Sequence, residues 1–210
     1  MKHKAEQFDF PLISNWTLNN IKNDIISDEF FHIKDGSVFD YHADAYVNSI
    51  NCVGVMGAGI ALEFKKKYPK MFQDYRVQCS MKKIRPGDCY VYHDFEHDVY
   101  VLGMAVKNDW KYWSTLEWME LSIKSLKLSI LEHDIKSINM PLIGSQNGRR
   151  GPHGKVSGMT LPPDKDEVMT LLEKELKPFS NKFKIDINVC ISSNKPSKEQ
   201  PTLDQFLETV

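Results

Sequence analysis

The sequence predicts one α/β domain in which helices pack against a mostly parallel or mixed sheet. Strand-like and helix-like stretches alternate along the chain, which is the pattern of α/β sandwiches. An apolar strand at 45–50 runs through a glycine-rich turn into an amphipathic helix at 59–67. The chain has 210 residues, 41% of them hydrophobic, which suits a single domain with a real core.

Apolar periodicity and turn residues place the elements in order. Pro69 ends the first helix, and a capping box of Ser114 and Glu117 is expected to begin the third. His93 and His97 lie between two paired strands, where a polar hairpin turn is favoured over a metal site. The predicted strands are 45–50, 89–92, 99–104, 137–142 and 184–191, and the predicted helices are 59–67, 70–79, 114–132 and 164–177.

Composition narrows the class of protein. The formal net charge of −1 argues against a general polyanion binder. The four cysteines are scattered, without a Cys-x-x-Cys pair, which argues against a zinc site or a disulfide framework. No apolar run approaches the roughly 20 residues of a membrane span, and the N-terminus lacks a signal-peptide core. We expect an intracellular protein, cytoplasmic or nuclear, with no cofactor, no metal and no membrane partner.

Three loops carry the candidate site. Ligands of open α/β sheets bind outside the carboxyl ends of the strands, where the loops 48–59, 107–110 and 144–151 are expected to meet. Glycines in the first and third loops allow close approach of the backbone, and a helix N-terminus follows the first. Two such loops can cradle a diphosphate, with Lys107 and Trp110 at the rim. This combination suits a nucleotide diphosphate with an appended sugar.

These loops resemble the motifs of macrodomains, the ADP-ribose-binding fold. Residues 47–61 read Val-Asn-Ser-Ile-Asn-Cys-Val-Gly-Val-Met-Gly-Ala-Gly-Ile-Ala and resemble the first ligand loop of that family. Residues 105–110, Ala-Val-Lys-Asn-Asp-Trp, with Ser114 and Leu116 are similar to a pattern of the DNA ADP-ribosyl glycohydrolase antitoxins, a branch that also holds the human terminal ADP-ribose glycohydrolase. Residues 140–148, Met-Pro-Leu-Ile-Gly-Ser-Gln-Asn-Gly, resemble the second phosphate loop. The resemblance implies a three-layer α/β/α macrodomain with a mixed central sheet.

Roles follow for individual residues. Lys107 is the candidate reactive group, because a partly buried lysine of lowered pKa can attack an anomeric carbon or orient the scissile bond; neutralising a phosphate is the alternative. The resemblance implies that Asn51 binds the distal ribose hydroxyls. Asn48 is expected to bond backbone and shape the loop. The diphosphate contacts are expected from Gly57, Ala58, Gly59 and Ile60 in the first loop and from Gly144, Ser145, Gln146, Asn147, Gly148 and Arg149 in the second.

The sequence departs from the family at two points. Macrodomains usually carry Gly-Asp-Ile or Gly-Asp-Leu near their first strand, and the aspartate accepts a bond from adenine. Here the stretch is Asp35-Gly-Ser-Val38, so the anchor is missing or shifted to Asp35. The human-type enzymes use an acidic residue near the second loop, and this chain has none over 144–159. The adenine anchor and the catalytic acid therefore stay unassigned.

The chain ends in a peptide with a separate resemblance. Residues 1–32 are expected to form an accessory segment, 33–191 the macrodomain and 192–210 a polar linker with this peptide. Its sequence, Gln-Pro-Thr-Leu-Asp-Gln-Phe-Leu, resembles the motif by which replication proteins bind sliding clamps. A tail that docks on its own domain and a chance match are the alternatives. The expected partner contacts are Gln200, Leu203, Phe206 and Leu207.

The sequence therefore predicts hydrolytic removal of ADP-ribose from a macromolecule, with DNA favoured. Two alternatives stay open. One is an ADP-ribose 1″-phosphate phosphatase, in which Arg149, Arg150 and His153 would serve the terminal phosphate. The other is a non-catalytic reader of ADP-ribose.

Overall fold

The computed structural model describes residues 29–144 and 163–191. Six strands and four α-helices occupy these ranges, with a short 3₁₀ helix at Val38–Asp40. The strands are β1 (Phe31–Asp35), β2 (Ala45–Asn51), β3 (Cys89–Asp94), β4 (Val99–Lys107), β5 (Ser137–Pro141) and β6 (Asp186–Ile191). The helices are α1 (Gly59–Lys67), α2 (Pro69–Ser80), α3 (Leu116–Glu132) and α4 (Lys165–Phe183).

The strands form one mixed sheet in the order β1-β6-β5-β2-β4-β3. Every neighbouring pair is parallel except β3 and β4, which form an antiparallel hairpin. The carboxyl ends of β1, β6, β5, β2 and β4 consequently meet at one edge. Ligands of such sheets bind at that edge, between two neighbouring strands whose connections leave in opposite directions.

Two apolar cores lie on opposite faces of the sheet. On one face, α3 and α4 cover the sheet through Met119, Ile123, Leu172 and Leu176, all fully buried. On the other face, α1 and α2 cover it through Phe64, Met71, Tyr75 and neighbouring aromatic side chains. The molecule is thus a three-layer α/β/α sandwich, as predicted. Among the described residues, no helix has the length and apolar character needed to cross a membrane.

Elements α3, α4 and β1 differ from the prediction. The N-cap of α3 is Thr115, whose side chain accepts the Trp118 N–H, whereas Ser114 is fully buried one residue earlier. Helix α4 continues past the predicted end at 177, through Pro178, because Phe179 still packs into the core. The sequence pattern predicts no strand at β1, since Ile33 on this edge strand is exposed. The domain boundary at residue 33 stays a prediction.

Candidate functional site

The carboxyl ends of β2 and β4 bring the first two predicted loops together. A register shift after Ile50 pairs Asn51 with Lys107, the last residues of the two strands. Beyond them, the Cys52 N–H donates to the Asn108 carbonyl at 3.1 Å. The first glycine-rich loop and the lysine loop are therefore joined by backbone contacts, as the sequence predicts.

Asn51 holds the first loop in its shape. Its Oδ1 accepts the N–H groups of Val53 and Val55 at 3.1 and 3.2 Å, and its Nδ2 donates to the Val55 carbonyl at 2.6 Å. The Tyr75 hydroxyl of α2 lies 2.6 Å from the Asn51 carbonyl and 3.2 Å from Oδ1. Asn51 is 6% exposed, and one hydrogen of its amide is left over from these bonds for a ligand. Its predicted contact with the distal ribose stays a prediction.

Replacing Asn51 with alanine is expected to lower the free energy of unfolding by about 2–3 kcal/mol, because it leaves the N–H groups of Val53 and Val55 without their acceptor and the Val55 carbonyl without its donor. Chemical denaturation measures this change. Tyr75→Phe, which removes the hydroxyl that donates to Asn51, should cost about 1 kcal/mol. An Asn51→Ala protein as stable as the parent would contradict the loop-shaping role and leave only a ligand contact.

Asn48 has a different environment from the one predicted. It is fully buried, and its Nδ2 donates to the Met56 sulfur at 3.8 Å, not to backbone. Its Oδ1 has no hydrogen-bond partner among the described residues. The bonds to backbone that were expected from Asn48 are made by Asn51, because the bulge at the end of β2 turns Asn51 under the loop.

Open backbone amides follow the first loop. Among the described residues, the N–H groups of 57–61 meet no hydrogen-bond acceptor. Ala58 is the N-cap of α1 and supplies no side-chain cap, and the first turn carries no acidic residue. Gly57, Ala58 and Gly59 are exposed and Ile60 is half-buried. An anion bound here would satisfy the free N–H groups and interact favourably with the helix dipole.

Lys107 is half-buried at the end of β4, where it pairs with Asn51 at the start of the first loop. Burial lowers the pKa of its ammonium group from 10.5 to about 8, so an appreciable fraction is a neutral amine near physiological pH. The Cys52 thiol donates to the Lys107 carbonyl at 3.3 Å, and burial raises the pKa of that thiol to about 12. The lysine amine, and not the cysteine, is therefore the available nucleophile at this edge.

Two aromatic residues rim the lysine loop. Trp110 is 42% exposed and Tyr112 is 37% exposed. The Lys111 Nζ lies 5.8 Å from the centre of the Trp110 ring. Trp110 is therefore not part of the buried core and lies at the rim.

The second loop begins at Gly144, beside the same edge. Gly144 has a φ of +69°, and a Cβ there would lie 3.0 Å from the Ser114 Oγ and 2.1 Å from Met119 Cε. Glycine is therefore required for the turn out of β5. Ser114 is fully buried, and its hydroxyl has no partner among the described residues.

The remaining predicted contacts lie at the margin of the described ranges or beyond them. Asp35 ends β1, two strands away from β5, and its carbonyl accepts the Tyr41 hydroxyl at 2.6 Å. Its role as adenine anchor stays a prediction. Outside the described residues lie Ser145, Gln146, Asn147, Gly148, Arg149, Arg150 and His153, together with the tail residues Gln200, Leu203, Phe206 and Leu207.

Tyr75 is the site residue that sequence reasoning missed. It is fully buried, and it lies 24 positions from Asn51 in the chain. Its only local signal is the apolar stripe of α2, in which Met71, Tyr75 and Cys79 are buried at a spacing of four. That pattern predicts core packing and contains no information about a hydroxyl directed at the loop.

Sequence comparison identifies known proteins that this chain resembles. Residues 47–153, just over half of the chain, match the family described as Macro domain. The DNA ADP-ribosyl glycohydrolase of Thermus aquaticus is 31% identical over 140 residues, which are 66% of this chain and 36% of the relative. The protein of the same name from Mycobacterium tuberculosis is 34% identical over 115 residues, 54% of this chain and 33% of the relative. The chain spans about a third of the length of these curated relatives.

The fold comparison agrees with the sequence comparison. The macrodomain of Mycobacterium tuberculosis DarG superposes with a TM-score of 0.64 and 27% sequence identity. The match covers 78% of this chain and 98% of that one. The likeness therefore extends over nearly all of that domain.

Proposed function

The chain belongs to the macrodomain family, and on this premise we propose that it binds ADP-ribose and removes it hydrolytically from a macromolecule, with DNA as the favoured acceptor. The relatives named DNA ADP-ribosyl glycohydrolase support both the reaction and the acceptor. The site itself offers one group for binding and one for the reaction. The open backbone N–H groups suit the diphosphate, and the lysine amine suits the reaction at the sugar.

The observation that carries the proposal is the position of Lys107. It ends β4 directly beside Asn51, the residue that shapes the anion-binding loop. Burial lowers the pKa of its amine to about 8, which leaves roughly a tenth of it neutral at pH 7. A diphosphate bound by the amides of 57–61 would leave the attached distal ribose near the carboxyl ends of β2 and β4, between the same loops.

The chemistry balances with this one nucleophile and water. The neutral Lys107 amine attacks C1″ of the distal ribose, and the bond between that carbon and the acceptor breaks. The electron pair leaves with the acceptor atom, which takes up the proton that the attacking lysine nitrogen loses; water returns a proton to that nitrogen in the next step. Water then attacks the same carbon, displaces the lysine nitrogen and releases free ADP-ribose. Because residues 144–159 contain no carboxylate, the proton for the acceptor does not come from an acid of the second loop.

Release of free ADP-ribose from an ADP-ribosylated oligonucleotide tests the proposal. We expect ADP-ribose and intact, unmodified oligonucleotide as the two products, resolved by chromatography. Tight ADP-ribose binding in calorimetry without any release would identify a reader instead. Phosphate release from ADP-ribose 1″-phosphate without glycohydrolase activity would identify the phosphatase. Either result would refute the proposed reaction.

The reaction should accelerate with rising pH. A neutral amine is the reactive form, and its fraction grows as pH rises through about 8, the pKa that burial sets for Lys107. We expect kcat/KM to increase about tenfold per pH unit below that value and to level off above it. Initial rates on an ADP-ribosylated oligonucleotide between pH 6 and 9.5 measure the profile. A rate that falls through pH 8 would show that the charged lysine is the active form.

The tail and the cellular location complete the proposal. Gln200, Leu203, Phe206 and Leu207 would bind a sliding clamp, which would bring the enzyme to replicating DNA inside the cell. The support for this contact is the motif in the sequence. A peptide of the last fifteen residues that shows no binding to a clamp would refute it.

A further inference from the structure

A groove opens on the α2 side of the first loop. Its volume is about 660 Å³. The wall on one side is the first loop itself, where a Cβ on Gly54 would lie 3.5 Å from the Arg76 Cα of α2. The lining residues are Cys52, Val53, Gly54, Arg76, Cys79, Ser80, Lys82, Ile84, Arg85, Pro86 and Asn108.

The groove is cationic, although the whole chain has a formal net charge of −1. Arg76, Lys82 and Arg85 line it and are exposed, and no carboxylate is among its lining residues. None of the three forms an ion pair within the described ranges. The acids nearest along the chain have other partners: the Asp74 carboxylate accepts from the Gln78 amide and the Tyr90 hydroxyl, and the Asp88 carboxylate accepts the backbone N–H of Arg85 at 2.7 Å. Three cationic side chains that line one groove without an ion-pairing carboxylate are suited to a chain of phosphates.

The groove lies beside the loop that follows the candidate reactive residue. Asn108 lines it and directly follows Lys107 in the chain. Cys52 also lines it, and its thiol donates to the Lys107 carbonyl at 3.3 Å. The amides of 57–61 lie beyond Gly54 on the same loop. A strand in the groove would therefore pass beside the sugar that the first loop and Lys107 are proposed to hold.

We infer that this groove binds the backbone phosphates of the acceptor nucleic acid strand, through Arg76, Lys82 and Arg85. The inference rests on the proposed function, in that it assigns the acceptor a place beside the same site. Phosphate contacts of this kind position a strand without reading its sequence. The groove therefore selects nucleic acid as the acceptor class and does not select a base sequence.

The test removes the three charges and keeps the side chains polar. The variant Arg76→Gln, Lys82→Gln, Arg85→Gln is compared with the parent on an ADP-ribosylated oligonucleotide and on the corresponding ADP-ribosylated nucleoside. We expect KM for the oligonucleotide to rise at least about tenfold, and the slope of log K against log salt to fall by about 2, the value for three phosphates of a single strand. Turnover of the nucleoside, which has no flanking phosphates, should be unchanged.

A matched control separates local charge from net charge. Lys165, Lys174 and Lys182 are exposed on α4, on the opposite face of the sheet, and their change to Gln alters the net charge equally. This control variant should behave like the parent. Parent-like KM and salt dependence in the groove variant would overturn the inference.

Binding of an unmodified oligonucleotide, measured by fluorescence anisotropy on the same three proteins, needs no turnover. This measurement tests strand binding by the groove independently of the proposed reaction. A parent that cleaves neither substrate refutes the proposed function, while weaker binding by the groove variant alone would still support the groove. Equal binding by all three proteins would overturn it.

Discussion

Changing Lys107 to alanine is expected to lower kcat/KM on ADP-ribosylated DNA by about 10³-fold, the loss typical when a positioned reacting group is removed. ADP-ribose binding should change little, because the diphosphate contacts are proposed to come from the open amides of 57–61. Release of ADP-ribose and calorimetry measure the two quantities on the same protein. The separation of turnover from binding is the signature of a group that acts in the reaction.

A second substitution distinguishes the amine from its charge. Lys107→Arg keeps a cation, but a guanidinium is not deprotonated in proteins and cannot serve as the nucleophile. We expect this variant to be as inactive as Lys107→Ala. Full activity in Lys107→Arg would show that the position neutralises a phosphate. Lys111→Ala, four residues along in the same loop, removes an equal charge and should keep parental activity.

Gly57→Val is expected to weaken ADP-ribose binding by at least about tenfold while leaving the thermal midpoint unchanged. Gly57 is exposed, its φ lies outside the left-handed region, and the heavy atom nearest to an added Cβ is Val55 Cγ1 at 3.9 Å. The unliganded fold thus accepts a side chain at this position. A diphosphate that contacts the backbone of the loop would not have room beside it.

Gly54 supplies the matched control in the same loop. It is buried and has a φ of +80°, a conformation that costs an L-residue roughly 1–2 kcal/mol. Gly54→Ala should therefore lower stability, which is the opposite pattern to Gly57→Val. Calorimetry with ADP-ribose and thermal unfolding of both variants check the pair. Parental binding by Gly57→Val would show that the ligand does not approach the loop at this residue.

The order of strands and helices could be predicted because it depends on local patterns. Helix α1 begins and ends at the predicted residues, since Gly59 follows the turn and Pro69 prevents continuation. The apolar residues that recur at helical spacing along α3 are buried: Met119, Ile123, Leu126 and Ile130. The cap of that helix was predicted one residue too early, because both Ser114 and Thr115 are good caps and only packing decides between them. Ser114 is buried beside Gly144, so Thr115 is the cap.

The sequence by itself determined the α/β/α class and the family, and it predicted which loops form the candidate site. Periodicity and short motifs carry that information, and both are properties of neighbouring residues. Only the tertiary structure decided the burial and the bonding partners of Asn51, Asn48 and Lys107. Whether an amide shapes a loop or lies unpaired, and whether a lysine amine has a lowered pKa, depends on burial and on partners from distant parts of the chain. Tyr75 from α2 and the pairing of β2 with β4 supply those surroundings, and no local pattern contains them.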